Sequence, residues 1–162
     1  MLIRLNKIRL YDILHPHLST IKDITDEHNI SLHVIDDLDD VDGLVYVVGR
    51  QDWFEQIYVA LIDNAAKYGN KNGNIWINAF LFNDNIIRIT VKDEGHGIPS
   101  EEVQNVFKPF NRAGVDSRTI EGTGAGLAIV KGLVDEMKCS INFDSNHGNG
   151  TTFWIDIPLH HV

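Results

Sequence analysis

The sequence predicts a single α+β domain, and three observations carry that expectation. At 162 residues the chain has the length of one domain, and a chain of this size buries about two-thirds of its unfolded surface without a disulfide or structural metal. One long stretch, 52–69, repeats apolar residues at helical spacing, with Phe54, Ile57, Tyr58, Leu61, Ile62 and Ala65 on one stripe. Strand-sized segments bounded by turn residues, 75–82, 86–91, 140–144 and 151–159, fill most of the remainder.

In chain order, Ile8 to Leu10 is short and apolar enough for a strand. From Tyr11 to His28, Ile13, Leu14, Leu18, Ile21 and Ile24 recur at helical spacing, with Pro16 acceptable only near the first turn. Ser31 to Ile35 alternates as a strand. The acidic run Asp36, Asp37, Asp39, Asp40, Asp42 closing on Gly43 reads as a solvated turn, because it lacks the ligand spacing and closing Glu of a calcium loop. Leu44 to Val48 is a strand, and Asp52 followed by Glu55 resembles a capping arrangement opening the long helix. Asn70 to Asn74 is a turn, and Asn83-Asp84-Asn85 joins two hairpin strands. Asp93 to Pro99 is loop, and Ser100 with Glu101 and Glu102 starts a short helix. From Lys108 to Gly126 periodicity disappears; a loop of that length inside a compact domain reads as a lid, a binding loop or a disordered segment. Leu127 to Met137 is a helix, and a Gly-Asn-Gly turn joins the last two strands. His160 and His161 read as surface residues rather than metal ligands.

Composition narrows the function. Hydrophobic residues are 43% and charged residues 23%, which is globular rather than disordered. The net charge of −9 argues against a nucleic-acid binder, whose affinity rests on basic side chains. It leaves room for one small polyphosphate, which needs only local donors and a metal. A lone Cys139 forms no internal bridge and suits a reducing, cytoplasmic compartment. Arg4, Lys7 and Arg9 interrupt any apolar leader, and the longest apolar run is far short of a membrane span, so no direct membrane contact is expected.

Three clusters carry candidate chemistry. On the 52–69 helix, Ala60, Asn64, Lys67 and Tyr68 share a flank off the apolar stripe. Asn offers a hard amide oxygen suited to Mg²⁺ and Lys a point charge for phosphate, although a solvent-facing helix side fits the same pattern. After a strand, Asp93-Glu94-Gly95-His96-Gly97-Ile98-Pro99 joins a carboxylate, able to accept from a ligand amine, to glycines that allow close backbone approach. A glycine-rich turn is the alternative there, and His96 reads as a loop residue rather than a ligand or base. Finally, Gly122-Thr123-Gly124-Ala125-Gly126-Leu127 enters a helix, where exposed N–H groups and the helix dipole favour an anion. It matches neither the Walker nor the dinucleotide pattern.

Taken in order, these elements resemble the catalytic and ATP-binding domain of sensor histidine kinases, within the wider group that includes gyrase. Asn64-Ala65-Ala66-Lys67-Tyr68 resembles the N box and Asp93 to Gly97 the first glycine box. Phe107-Lys108-Pro109-Phe110 resembles the F box, Gly122 to Leu127 with Ala128-Ile129-Val130-Lys131 the second glycine box, and Gly148-Asn149-Gly150-Thr151-Thr152-Phe153 the closing turn. The resemblance covers Ile8 to Leu159. It implies a two-layer α/β sandwich of the Bergerat type, a mixed sheet covered on one face by helices, forming one domain over 1–162.

By position, the resemblance implies that Asn64 ligates the Mg²⁺ bridging the phosphates of ATP, with Lys67 near the phosphates and Tyr68 against the adenine. Asp93 is implied to accept from the adenine amino group, with Gly95, Gly97 and Ile98 beside it. An ATP lid over about 108–126 follows Phe107, with Arg112 or Arg118 reaching the γ-phosphate. Gly122, Thr123, Gly124, Ala125, Gly126 and Leu127 line the triphosphate side, with Thr151 and Thr152 completing the site. The implied partners are a dimeric phosphoacceptor domain carrying the reactive His, and a response regulator downstream; the isolated domain is expected to be monomeric. The parent protein of such a domain is in some cases membrane-anchored.

Two departures stand out. The position one turn before Asn64, usually Glu or Asn in the family, is Ala60, and Asp63, about 100° away around the helix, reads as a poor substitute. His15-Pro16-His17 lacks the acidic residue and downstream pattern of a phosphoacceptor, so autophosphorylation by this chain alone is not expected. The leading reading is therefore a protein-histidine kinase catalytic domain. The alternative is a pseudokinase or nucleotide-responsive binding module that has lost catalysis. An anti-sigma type serine kinase fits less well, because Phe107 to Phe110 has the histidine-kinase form.

Overall fold

The computed structural model describes residues 5–9, 19–36, 46–70, 72–108, 126–146 and 148–160. Strands β1 (Asn6–Arg9), β2 (Ser31–Asp36), β3 (Tyr46–Gly49), β4 (Asn74–Asn83), β5 (Ile86–Asp93), β6 (Ser140–Ser145) and β7 (Thr151–His160) alternate with helices α1 (Ser19–Glu27), α2 (Gln51–Tyr68) and α3 (Gly126–Glu136). A 3₁₀ turn covers Ser100–Asn105.

Among the described residues the strands form one mixed sheet in the order β1-β3-β7-β5-β4-β2. Only β2 and β4 run parallel; the other pairs are antiparallel. One edge of β7 pairs with β5, and the other carries β6 and then β3. Antiparallel neighbours follow from short turns, whereas the parallel pair needs a long crossover, here the one containing β3 and α2. Period-2 alternation fixes the two faces. Ile75, Ile77, Ala79, Ile87, Ile89, Val91, Ile155 and Ile157 point inward and are buried.

The helices cover that inner face. α2 lays Phe54, Ile57, Tyr58, Leu61, Ile62, Ala65 and Ala66 on β4 and β5. α3 buries Val130 and Val134 against α2 and β6. On the outer face, Arg88 of β5 holds Asp156 of β7 through a two-pronged ion pair at 2.7 and 2.9 Å, under the rings of Phe82 and Trp154. No described helix is long and apolar enough to cross a membrane.

The expected elements are present within a residue or two where the structure describes them, and the two-layer α+β sandwich is the fold. Several details differ. The expected helix 11–28 is described only from Ser19; residues 10–18, with His15 and His17, lie outside the described residues, as does the acidic run after Asp36. Asp52 does not cap α2. The cap position is Arg50, which makes no side-chain cap bond, and its guanidinium takes both Asp52 carboxylate oxygens at 3.0 and 2.6 Å. Asp52 instead sits in the first turn, where its charge favours the helix dipole. Asp93, expected to open a loop, is the last residue of β5.

Candidate functional site

Helix α2 ends against the carboxyl end of β5 and the amino end of β4, and the geometry of that junction creates a cleft. Asn64 and Tyr68, one turn apart on α2, form one wall. Asp93 at the end of β5 forms the floor with Thr151 at the start of β7, and Leu127 in the first turn of α3 closes the side. Gly97, Ile98, Val106 and Phe153 supply apolar lining and His96 the rim. The cleft and the solvent at its mouth together make about 410 Å³ of empty space.

Asp93 is the carboxylate of that floor, only 4% exposed. Burial pushes its pKa up, while hydrogen bonds from the Gly95 and Thr151 amides and the nearby His96 pull it back. Both amides donate to the same oxygen, Oδ1, at 2.8 and 3.3 Å. Among the described residues Oδ2 receives no hydrogen bond, which leaves an acceptor at the cleft for a ligand donor.

The loop that follows is tied down on three sides. The Asn70 amide donates to the Glu94 carbonyl at 2.7 Å, and the Glu94 carboxylate accepts from the Asn74 backbone and side chain at 3.1 and 3.3 Å. Gly95 sits directly on the end of α2, where any Cβ would overlap the Tyr68 carbonyl. Gly97 takes a φ of +76°, a left-handed conformation suited to glycine. The Ile98 amide then donates to Ser145 Oγ at 2.7 Å, and that hydroxyl lies 3.0 Å from Thr151 Oγ1. β5, β6 and β7 are thereby locked together around Asp93.

Of the residues singled out in the sequence, the structure brings Asn64, Tyr68, Asp93, Gly97, Ile98, Leu127 and Thr151 to this one cleft. Others lie nearby without lining it. Phe107 packs its ring on Phe143 and Phe153, centroids 5.8 and 6.3 Å away. It therefore braces the wall from behind. Gly95 supports the floor, and Gly126 begins α3 in the open. Thr152, in register with Lys92, faces the opposite side of the sheet from Thr151. Lys67 pairs with Asp63 at 2.9 Å and does not line the cleft. Arg112, Arg118, Gly122, Thr123, Gly124 and Ala125, with Pro109 and Phe110, lie outside the described residues.

Ala60 and Asp63 line a separate open groove between α1 and α2, with Ile24, Asp52, Glu55, Gln56 and Val59. This corrects the expectation that Asp63 stands well away from Ala60: three residues apart, the two are neighbours on one helix face. Sequence reasoning missed the bracing role of Ser145 and Glu94 and the lining role of Val106 and Phe153. Only the alternation of Phe153 with Thr152 signalled that it points inward. His96, read as a bare loop residue, stands at the rim with its ring edge-on to Tyr68, centroids 5.9 Å apart. Among the described residues no group of three or more His, Cys, Asp or Glu side chains is placed to hold a metal.

Comparison with known proteins fits this arrangement. Over 97% of its length the chain is 30% identical to drug sensory protein A of Synechocystis, and it spans 24% of that protein. It is 37% identical to the sensor histidine kinase WalK of Bacillus subtilis over 70% of the chain and 19% of WalK. The chain thus spans less than a third of the length of these curated relatives. Among solved structures, the catalytic domain of the histidine kinase ThkA superposes with a TM-score of 0.77, at 23% identity, over 96% of this chain and 98% of that one. Full-length ShkA, solved in complex with AMPPNP, superposes with a TM-score of 0.78 at 20% identity, over the whole of this chain and 32% of that one. Residues 49–161, the span running from α2 through the Asp93 loop to the end of β7, match the histidine kinase-, DNA gyrase B-, and HSP90-like ATPase family, and the chain belongs to that family.

Proposed function

We propose that the cleft binds adenine nucleotide and that the chain is the catalytic domain of a sensor histidine kinase, presenting the γ-phosphate of ATP to a His on a separate phosphoacceptor domain. The observation that carries this is the buried Asp93 carboxylate, with Oδ1 fixed by two amides and Oδ2 left as an acceptor in an apolar slot. A flat heterocycle bearing an exocyclic amine suits such a slot. Its faces would meet Ile98, Val106 and Phe153, and its edge the carboxylate. Tyr68 and Asn64 follow one turn apart along α2, so the rest of the nucleotide would run along that helix.

The residues fit a Mg²⁺ brought in with the nucleotide. Asn64 offers an amide oxygen at the cleft wall, and Mg²⁺ commonly takes one or two protein oxygens with the balance from phosphates and water. When bound it supplies charge neutralisation for the phosphates. The chain's own contribution is orientation: Asp93 and the Tyr68 wall fix the base, and Lys67 stands one turn after Asn64 for the phosphates. Arg112 or Arg118 and the glycines 122, 124 and 126 remain sequence-based assignments toward the same phosphates. Phosphoryl transfer depends mainly on positioning and charge stabilisation, so a base from this domain is not obligatory.

Calorimetric titration with ATP, with and without Mg²⁺, tests the nucleotide site, and mixing with a dimeric phosphoacceptor domain and labelled ATP tests transfer. Saturable binding together with label on the acceptor His is expected. Ala60 favours a second reading, a nucleotide-responsive module without catalysis. Mg-dependent binding with no transfer to any acceptor, restored by Ala60→Asn, would decide for it.

A further inference from the structure

On helix α2 the Lys67 ammonium is held by an aspartate and is not turned into the cleft. Asn64 and Tyr68 line the nucleotide cleft. Asp63 lines a separate open groove on the neighbouring flank of the helix, beside Ala60. Lys67, four residues after Asp63, has its ammonium 2.9 Å from Oδ2 of that aspartate, with the two side chains 26% and 36% exposed. An aspartate four residues before a lysine is a favourable pairing on a helix, and Lys67 does not line the cleft.

We propose that Asp63 is a specificity-determining residue that sets how much affinity the site gains from each phosphate of the nucleotide. This rests on the reading of the cleft as a nucleotide site with Lys67 serving the phosphates. Asp63 and phosphate compete for one ammonium. A nucleoside leaves the Lys67–Asp63 pair intact, whereas a triphosphate must draw Lys67 across to the cleft side and leave the aspartate alone. The flexible four-carbon stem of lysine permits that swing. Asp63 thus lowers affinity in proportion to the charge engaged by Lys67 and leaves the base contacts untouched. A partly exposed pair of this kind is a weak competitor, so it acts as a tuning element rather than a lock.

Adenosine, AMP, ADP and MgATP titrated calorimetrically into the unsubstituted chain and into Asp63→Asn, Lys67→Met and the double variant test this. Asp63→Asn should tighten MgATP by about two- to five-fold, the factor corresponding to an exposed ion pair, and leave adenosine unchanged. In the Lys67→Met background the same substitution should lose most of that gain, because only direct charge repulsion remains. Asp63→Ala should repeat the Asn result, which separates charge from any new hydrogen bond by the amide. An equal gain for adenosine and ATP, no gain at all, or an equal gain with and without Lys67 would overturn the proposal while nucleotide binding stands. Failure of the unsubstituted chain to bind any of the four ligands would remove the nucleotide reading and this inference together.

Discussion

The Glu94 carboxylate and Asn74 are joined by two hydrogen bonds, from the Asn74 amide at 3.1 Å and from its side-chain Nδ2 at 3.3 Å. The contact pins the residue after Asp93 to the first residue of β4. Truncating Glu94 leaves Asn74 without its acceptor and frees the Asp93 loop on one side. Glu94→Ala should cost about 1 kcal/mol of stability and weaken adenine nucleotide binding several-fold. Glu94→Gln, which keeps an acceptor oxygen, should recover most of both. Urea denaturation and titration read the two effects, and an Ala variant with unchanged affinity would remove the bracing role.

Asp93 should leave a signature in the pH dependence of stability. Its carboxyl is held above the ordinary 3.8 by burial, so the folded chain keeps that proton to a higher pH than the unfolded chain does. The stabilisation is fully present below 3.8 and is lost as pH rises through the raised value. Asp93→Asn cannot ionise and lacks this slope. Subtracting the variant's urea-derived stability from that of the unsubstituted chain between pH 3 and 7 cancels the other carboxylates. The difference should fall with rising pH; a rising difference would contradict the burial argument.

Gly95→Ala should be among the more disruptive single-methyl changes in the domain. A Cβ at 95 collides with the Tyr68 carbonyl and crowds the Gly69 Cα, both rigid backbone at the end of α2. Overpacking of this kind costs about 1–3 kcal/mol. Because Tyr68 and Asp93 flank the clash, binding of adenosine should weaken along with stability. Gly132, in the body of α3 with open space where a Cβ would stand, is the control. Gly132→Ala should stabilise by about 1 kcal/mol through helix propensity. Thermal melts compare the pair.

Much of this was legible in the sequence because period-2 and period-3.6 patterns are local. The alternation in β4, β5 and β7 and the stripe from Phe54 to Ala66 are written in consecutive residues. What escaped depends on partners distant in the chain or on a choice between two available partners. Asp52 looked like a cap, yet the Arg50 guanidinium competes for both its oxygens and wins. Ser145 offers no motif, and its role exists only because β6 pairs with β7 beside the Ile98 amide. Thr151 and Thr152 are adjacent and chemically alike, but strand parity sends one to the cleft and its neighbour to the open face. Lys67 was expected at the phosphates from the family pattern, whereas its pairing with Asp63 had to be seen in the helix.

Cys139 should be inert in the folded chain. Its thiol is pushed up to about 12 by burial, so almost none is thiolate near neutrality. A disulfide reagent at pH 8 should label it slowly in native protein and completely once the chain is unfolded in urea. Rapid native labelling would mean that the α3–β6 junction opens readily, since Cys139 follows α3 directly and its amide bonds the Val134 carbonyl.

Asn64→Ala separates metal from base recognition at the same cleft. The Asn64 side chain makes no hydrogen bond to a described residue and lines the wall one turn before Tyr68, so its removal disturbs no bond among the described residues. If its oxygen serves Mg²⁺, the loss should appear only when metal and phosphates are both present. MgATP should then weaken by about ten-fold, the order expected for removing a contact to a charged group, while ATP in chelator and adenosine should bind nearly as before. Asp93→Ala should give the opposite pattern, weakening adenosine and MgATP alike because the base contact is common to both. Calorimetric titrations of the two variants against the three ligands give six numbers whose pattern, rather than any one value, carries the assignment. Equal weakening of all three ligands by Asn64→Ala would place that residue at the base instead of the phosphates. The metal would then have to be held by the nucleotide and solvent without it.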